Sequence, residues 1–264
     1  MPILEHITSP QNPKLKLVKS LQEKKRRQRE RLFVVDDLRD LQRATAQGYR
    51  LVFLLVCPTL MSKDERNFLE KSHAHAYTLT TDLMQKVGYR QNPNGLIAVL
   101  EQPPMPVLPP RLSAPVLCLV ALEKPGNIGA LLRTADASGF RHVILADTAL
   151  DLYNPNVIRA STGACFLGNV YSLNSTQTLE ALRAHGYRIL AAHLRGTKSL
   201  YDVRFTPQTA IVLGTEDKGL PDLWAQACDE LVRIPMVGQL SDSLNVSVSG
   251  AVLMYEALRQ LSRT

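Results

Sequence analysis

The sequence predicts an α/β fold in two domains. Short apolar and β-branched runs alternate with amphipathic helical patterns along the chain, which is typical of a mostly parallel sheet covered by helices on both faces. The 264 residues exceed one typical domain of roughly 100–200 residues. An apolar content of 45% is enough for two globular cores.

A proline-rich stretch separates the alternating elements into two groups. Residues 103–115 hold six of the 16 prolines. Because proline lacks a backbone donor and favours extended structure, we expect a linker here. The predicted organisation is a domain at 1–102, a linker at 103–115 and a second domain at 116–264.

The first domain is predicted to be a small α/β unit. Ser62 is followed three residues later by Glu65, the pattern of a capping box at a helix start. The expected helices are Leu15–Arg29, Leu38–Gln47 (ended by Gly48) and Ser62–Lys71, and the expected strands are Leu32–Val35, Val52–Val56 and Leu96–Leu100.

The second domain continues the alternation and is predicted to contain the mostly parallel sheet. Strands are expected at 116–122, 142–146, 188–192, 210–214 and 231–234, and helices at 129–138, 177–185, 221–228 and 246–261.

Positive charge is concentrated before the second domain. The net charge is +7, with 18 Lys and Arg against 11 Asp and Glu up to Pro115 and 13 against 13 afterwards. We therefore expect an anionic partner for the first domain, with a solvated helix face as the alternative for any single cation. The candidate contacts are Lys14, Lys16, Lys19, Lys24, Lys25, Arg26, Arg27, Arg29 and Arg31.

The cysteine positions and the apolar runs argue against a disulfide-bonded, metal-binding or membrane-spanning protein. Cys57, Cys118, Cys165 and Cys228 lie far apart, without metal-ligand spacing, so free buried thiols in a reducing compartment are expected. No segment approaches the ~20 apolar residues of a membrane span, and the N-terminus carries no signal-type core. We expect a cytoplasmic protein with no metal and no membrane partner.

Residues 124–139 are the most informative segment. An apolar strand leads into KPGNIGALLRTADASG, in which glycines flank Asn127 at a predicted helix start and Arg133 follows about two turns later. Helix-start amides and a guanidinium fork both favour phosphate. The glycine pattern is not that of a dinucleotide-binding fold, so an NAD site is disfavoured.

Two further clusters follow strands in the second domain. LGTEDKGLP places Glu216 in a glycine turn at a strand end, where ligand sites lie in open α/β sheets; a plain connection is the alternative. RIPMVGQLSDSLNVSVSG then leads into the last helix, for which Ser243 or Asn245 could be the cap. Small residues in its first turns indicate close packing against backbone or ligand.

These three clusters, in this order, resemble the motifs of the SpoU/TrmH-type RNA ribose 2'-O-methyltransferases of the SPOUT class. The N-terminal part, including RERLFVVDDLRDL, is similar to the substrate-binding domain of many relatives, which resembles a small RNA-binding ribosomal protein. Those relatives usually carry Glu-Gly where this chain has Asp36-Asp37, a departure that leaves the local turn geometry open.

The resemblance implies a fold, a donor and a site. It implies a deep trefoil knot in the second domain, a homodimer with the site completed across the interface, and S-adenosylmethionine as methyl donor. The implied donor-binding residues are Leu213, Gly214, Thr215, Gly219, Ile234, Pro235, Met236, Leu244 and Asn245. The implied catalytic residues are Arg133, Asn127, Glu216, Ser243 and Asn245.

For Arg133 we prefer a cationic role, because a guanidinium hardly ever gives up its proton. It would hold a phosphate and stabilise the developing ribose alkoxide, whereas family proposals make it a general base. A purely structural ion pair with Asp136, one turn away, is the third possibility.

The function expected from the resemblance is methylation of a ribose 2'-hydroxyl in structured RNA. Ribosomal RNA is favoured over transfer RNA because the chain carries the separate N-terminal domain. The alternatives are a transfer RNA 2'-O-methyltransferase, a non-catalytic RNA-binding or ribosome-assembly factor, and a methyltransferase acting on something other than RNA.

Overall fold

The computed structural model describes residues 4–149, 151–216, 219–240 and 242–262. The motif residues Asp217, Lys218 and Ser241 lie outside them. The described chain forms two compact units. The first contains the residues up to Pro104 together with Asp151–Phe166, and the second contains the chain from Met105 onward without that segment. The segment 151–166 thus groups with the first unit, although its sequence lies within the predicted second domain.

The ten α-helices and twelve strands of the described residues are numbered in chain order. The helices are α1 Pro13–Ser20, α2 Lys24–Glu30, α3 Leu38–Ala46, α4 Lys63–Ser72, α5 Thr81–Val87, α6 Pro125–Ala137, α7 Pro155–Ser161, α8 Ser175–Ala184, α9 Asp222–Ala227 and α10 Val246–Leu261 in the described chain. Its strands are β1 Leu4–His6, β2 Leu32–Val35, β3 Leu51–Val56, β4 Ala76–Thr78, β5 Leu96–Glu101, β6 Val116–Val120, β7 His142–Ala146, β8 Val170–Leu173, β9 Arg188–Ala192, β10 Lys198–Ser199, β11 Thr209–Leu213 and β12 Glu230–Arg233.

The first unit contains a five-stranded mixed sheet in the order β1-β4-β3-β5-β2. Strand β5 runs antiparallel to β2 and β3, while β4 runs parallel to β1 and β3. The capping box at the start of α4 is present: the Ser62 side chain accepts from the Glu65 backbone and Glu65 accepts from the Ser62 backbone. The prediction missed β1, β4, α5 and α7, which are too short to show a clear period.

The single basic helix predicted over Leu15–Arg29 is wrong, because the chain turns between Ser20 and Lys24. Leu21 is fully buried at this break. The Arg27 guanidinium donates hydrogen bonds of 2.7 Å to the carbonyl oxygens of both Leu21 and Gln22. These carbonyls therefore have a side-chain partner in place of the helical N–H groups that a continuous helix would supply.

The second unit contains a seven-stranded sheet in the order β10-β12-β9-β11-β6-β7-β8. Every neighbouring pair in it is parallel, which confirms the prediction of a parallel sheet. Strands β6, β7 and β11 are buried along their whole length, as expected for a sheet covered on both faces. We call the edge at which these parallel strands end the carboxyl edge.

Helix α10 packs closely on α6 and β11 because residue 250 is glycine. A Cβ at Gly250 would lie 2.3 Å from Leu131 Cδ2 and 2.8 Å from Leu213 Cδ1. The small residues at the start of α10 therefore allow a close approach to apolar side chains. The described cysteines are all free, and Cys228 is only half-buried. None of the helices in the described chain combines the length and apolarity that crossing a bilayer requires.

Candidate functional site

A tight turn at the end of β11 presents Glu216. Thr215 and Gly219 exchange backbone hydrogen bonds of 3.1 and 3.0 Å, which close the turn. A Cβ at Gly214 would lie 2.5 Å from the Gly219 carbonyl oxygen, and Gly219 itself has a φ of +69°. Both positions therefore require glycine, one for close approach and one for its left-handed backbone.

The Glu216 carboxylate accepts hydrogen bonds from groups at the starts of two helices. Asn127 Nδ2, near the start of α6, donates to Glu216 Oε1 over 3.1 Å, and the Val246 backbone N–H, at the start of α10, donates to it over 3.3 Å. Asn245 Nδ2 also donates to Oε1, while Lys124 Nζ forms an ion pair with Oε2. Three chain segments far apart in sequence thus meet at one carboxylate.

Asn245 links this cluster to the backbone of α10. Its Oδ1 caps the helix, accepting from the Ser247 backbone N–H over 3.0 Å and from Ser247 Oγ over 2.6 Å. Its Nδ2 is left to donate to Glu216 and, over 3.2 Å, to Asn127 Oδ1. The helix start therefore fixes which way the amide faces. Of the two caps considered from the sequence, the structure uses Asn245.

These contacts lower the pKa of Glu216. The main cause is the hydrogen bond from Lys124, which together with the Val246 N–H and the Asn127 amide outweighs the opposing effect of partial burial. The carboxylate is therefore ionised at neutral pH and is a weak base. Its chemistry is to hold donors in place rather than to accept a proton.

Arg133 lies apart from this cluster. It is exposed, six residues beyond Asn127 on α6, which corresponds to roughly 9 Å along the helix axis. Its guanidinium has no polar partner among the described residues, and the ion pair with Asp136 considered from the sequence is not formed there. Arg133 is thus available for a group outside the single described chain.

The remaining predicted site residues surround the same edge of the sheet. Ser243 is exposed and its Oγ donates to Asp242 Oδ1 over 3.3 Å, so it is not joined to Glu216. Ile234, Pro235 and Met236 directly follow β12, and Leu244 lies half-buried just before α10. Two apolar side chains of the intervening loop, Val237 and Leu240, are almost completely exposed.

The prediction from the sequence missed Lys124. It precedes α6 directly and its side chain makes no capping bond to that helix. Its pairing with Glu216 depends on β6 and β11 being neighbours in the sheet. A cation between an apolar strand and a Pro-Gly helix start was the available signal, but it does not reveal the carboxylate partner.

The basic residues of the first unit fall into several groups. The prediction that Arg27 contacts an anionic partner is wrong. Its side chain is buried in an ion pair with Asp151, so it cannot reach an external anion. Lys14 Nζ lies 4.8 Å from the ring centre of Phe53. Arg26 and Arg29 both pair with Glu30. The exposed members of the set that remain are Lys16, Lys19, Lys24, Lys25 and Arg31.

The Asp36-Asp37 pair forms an ordinary strand-to-helix turn. Asp37 has a φ of −133° and caps α3 by accepting from the Arg39 and Asp40 backbone N–H groups. An extended φ of this kind does not require glycine. Asp36 is held by Arg90 Nε at 3.2 Å and Arg159 at 3.4 Å.

Comparisons with known proteins agree with this arrangement. The model of the SpoU rRNA Methylase family matches residues 114–255, and that of the MRM3-like substrate binding domain matches residues 12–98. The 23S rRNA (uridine(2479)-2'-O)-methyltransferase of Streptomyces viridochromogenes is 32% identical over 238 residues, covering 86% of this chain and 83% of that protein.

Two solved structures have the same fold over nearly the whole chain. A crystal structure of an RNA 2'-O ribose methyltransferase is 37% identical with a TM-score of 0.87, covering 97% of this chain and 98% of that one. The S. viridochromogenes SpoU methyltransferase AviRb in complex with AdoMet is 30% identical with a TM-score of 0.84, covering 95% and 98%. The chain described here belongs to the SpoU rRNA methylase family.

Proposed function

We propose that this protein transfers a methyl group from S-adenosylmethionine to a ribose 2'-hydroxyl in structured RNA, with ribosomal RNA favoured over transfer RNA. The observation that carries the proposal is the convergence of Asn127, Glu216 and Asn245, one from each sequence motif, at the carboxyl edge. Membership of the SpoU family and the 2'-O-methyltransferase names of its relatives support the same reaction.

The residues at this edge suit an S-adenosylmethionine molecule. A Cβ on Gly126 would meet no atom within 4 Å, so the start of α6 has an open side. Met236 and Leu244 offer apolar contacts for an adenine, and the backbone of Gly214 and Ile234 offers hydrogen bonds for its edge. We assign donor binding to these residues with Leu213, Thr215, Gly219, Pro235 and Asn245. The bound donor supplies the reactive methyl group on its sulfonium.

The protein's own contribution is alignment and charge stabilisation. Glu216 holds the Asn127 and Asn245 amides in one orientation, so the starts of α6 and α10 form a preorganised surface. Arg133 is the cation assigned to the RNA phosphate and to the negative charge that develops on the ribose oxygen. Ser243, on the neighbouring loop, is assigned a polar contact to the same ribose.

We propose a homodimer in which a second copy completes the site. Val248 and Tyr255 are 46% and 51% exposed, and their spacing of seven residues puts them on one face of α10. The exposed Val237 and Leu240 add apolar surface in the same unit. Arg133, which has no partner among the described residues, fits a site shared between copies. The knotted chain path typical of the family is proposed on family membership alone.

The first unit is proposed to recognise the RNA. It matches the MRM3-like substrate binding domain and carries the exposed cations Lys16, Lys19, Lys25 and Arg31. Phosphate contacts by these side chains predict an RNA affinity that falls steeply with salt. Because ribosomal RNA is the favoured substrate, we propose that the protein works in the cytoplasm.

The direct test is methyl transfer from labelled S-adenosylmethionine to unmodified 23S ribosomal RNA and transfer RNA transcripts, followed by mapping of 2'-O-methyl positions. A single 2'-O-methyl site in ribosomal RNA is expected. Methylation of a base, or of transfer RNA alone, would contradict the proposal. Calorimetry with the donor tests the non-catalytic alternative, because a pure RNA-binding factor would show no donor binding.

A further inference from the structure

The turn after β9 is hydrogen-bonded to the end of β12. The His193 backbone N–H donates to the Val232 carbonyl over 2.9 Å, and the Gly196 N–H donates to the His193 carbonyl over 3.0 Å. The Arg195 N–H bonds to His193 Nδ1 over 3.0 Å. Residues 193–196 therefore form a compact turn with a defined backbone.

Glycine at position 196 brings this turn onto the backbone of β12. A Cβ at Gly196 would lie 2.7 Å from both the Arg233 nitrogen and the Val232 carbonyl carbon. Arg195, the residue before Gly196, and Arg233, the last residue of β12, are thus neighbours in space. We call these two residues the arginine pair.

The arginine pair is exposed and uncompensated. Neither guanidinium has a hydrogen-bond or ion-pair partner among the residues that the structure describes. Lys198, on the neighbouring strand β10, is already paired with Glu230. Leu194, beside the pair, is 69% exposed. This point of the sheet therefore presents unneutralised positive charge next to an apolar side chain.

The arginine pair lies at the same edge as the candidate site. Strand β9 is the direct neighbour of β11, whose following turn carries Glu216, and all these strands are parallel. Ile234, assigned to the donor, follows Arg233 immediately. Two exposed guanidiniums beside an apolar side chain suit a nucleic-acid backbone, with its phosphates and sugars, better than a single small anion.

We infer that Arg195 and Arg233 bind a phosphodiester of the substrate RNA close to the ribose that is methylated. The inference rests on the proposed function and adds an RNA contact in the second unit, most of which lies in the part of the chain after Pro115 where acidic and basic residues are equal in number. The Arg195 and Arg233 guanidinium groups bind phosphate oxygens of the RNA backbone, while Leu194 offers an apolar contact to a neighbouring sugar or base.

The test compares full-length Arg195→Gln, Arg233→Gln and the double variant with Arg204→Gln. Arg204 is a matched control: it is exposed, its side chain has no partner in the described chain, and it precedes β11, at the opposite edge of the sheet. Binding to an unmodified 23S ribosomal RNA transcript is measured from low to high salt, and donor binding is measured by calorimetry without RNA.

The double variant is expected to bind the transcript about tenfold more weakly near 0.1 M salt, with a salt slope smaller by about one to two. Donor affinity and turnover at saturating RNA should stay near those of the unmodified protein, as should all properties of Arg204→Gln. Unchanged RNA affinity, an equal loss in Arg204→Gln, or a loss of donor affinity would each overturn the inference.

The same experiment separates the two proposals. A wild-type protein that binds the transcript but transfers no methyl group contradicts the proposed function, and the arginine variants can still be scored by binding. A wild-type protein that methylates the transcript, with the double variant equally effective at low RNA concentration, contradicts only the role of the arginine pair.

Discussion

Arg27 Nε donates to Asp151 Oδ2 over 2.6 Å, and the two side chains are 1% and 5% exposed. This buried pair joins α2 to the segment 151–166 within the first unit. The same guanidinium bonds the Leu21 and Gln22 carbonyls, so one side chain fixes both the break before α2 and the position of Asp151.

Arg27→Ala should destabilise the first unit by about 3–5 kcal/mol, because it leaves the Asp151 charge buried and unpaired. Chemical unfolding followed by circular dichroism measures the loss. Lys25→Ala, an exposed change on the same helix, should shift the unfolding free energy by less than about 0.5 kcal/mol. Equal stability of the two variants would show that the pair is not a structural link.

The Asn245 side chain caps α10 and also donates a hydrogen bond to Glu216. Two variants should separate these roles. Asn245→Ser retains a capping oxygen and should keep stability within about 0.5 kcal/mol, whereas Asn245→Ala should lose about 1 kcal/mol. Both lose the amide donor to Glu216, so both should lower methyl transfer by a similar factor. Wild-type activity in Asn245→Ser would mean that the amide contact to Glu216 is dispensable.

Replacing two helical glycines by alanine should have different effects on stability. Gly250→Ala forces a methyl group into Leu131 and Leu213 and should cost about 1–3 kcal/mol. Gly126→Ala, in the first turn of α6, meets no atom and should leave stability unchanged or raise it by about 0.5–1 kcal/mol. Thermal unfolding measures both, and a neutral Gly250→Ala would contradict the close packing of α10.

Asp40 should make the first unit less stable at neutral pH than at pH 4–5. Burial, followed by the nearby Asp37 carboxylate, raises its pKa to about 6. Its Oδ1 makes no hydrogen bond, and Arg39 Nε is 3.9 Å away. Because the folded-state pKa exceeds the reference value of 3.8, the stability linked to protonation is fully present below about pH 4 and is lost as the pH rises through 6.

Asp40→Asn should therefore be more stable than the wild type at pH 8 by about 1–2 kcal/mol, and the difference should disappear near pH 4. Urea unfolding at both pH values measures this. Asp64→Asn is the control, since Asp64 is an exposed carboxylate in the first turn of α4, and it should not stabilise the protein. A pH-independent gain in Asp40→Asn would rule out titration of Asp40 as its cause.

Arg133→Lys should separate a planar guanidinium from a simple charge. Because Arg133 has no partner in the described chain, the fold should be unaffected. Turnover should fall by about ten- to a hundredfold, since an ammonium cannot form the bidentate contact to phosphate. Methyl-transfer assays at saturating donor and RNA measure this, and near-normal turnover would contradict the proposed role.

Much of the fold could be predicted where the hydrophobic pattern of a strand or helix is long and regular. The strands at 142–146 and 188–192 and the helix at 246–261 have the predicted bounds. The strand-end positions of the three motifs also followed from the sequence, because apolar runs and glycine turns are local signals. The break before α2 did not follow, since the helical period continues across it and the carbonyl partner is a distant side chain.

The sequence by itself determined the parallel α/β architecture, the three motifs and the family resemblance, all of which depend on residues close together along the chain. Only the tertiary structure decided that Lys124 and Asn245 share Glu216, that Arg27 is buried, and that Arg195 lies beside Arg233. These contacts depend on which strands and turns become neighbours. That order is set by packing of the whole core, which no local pattern records.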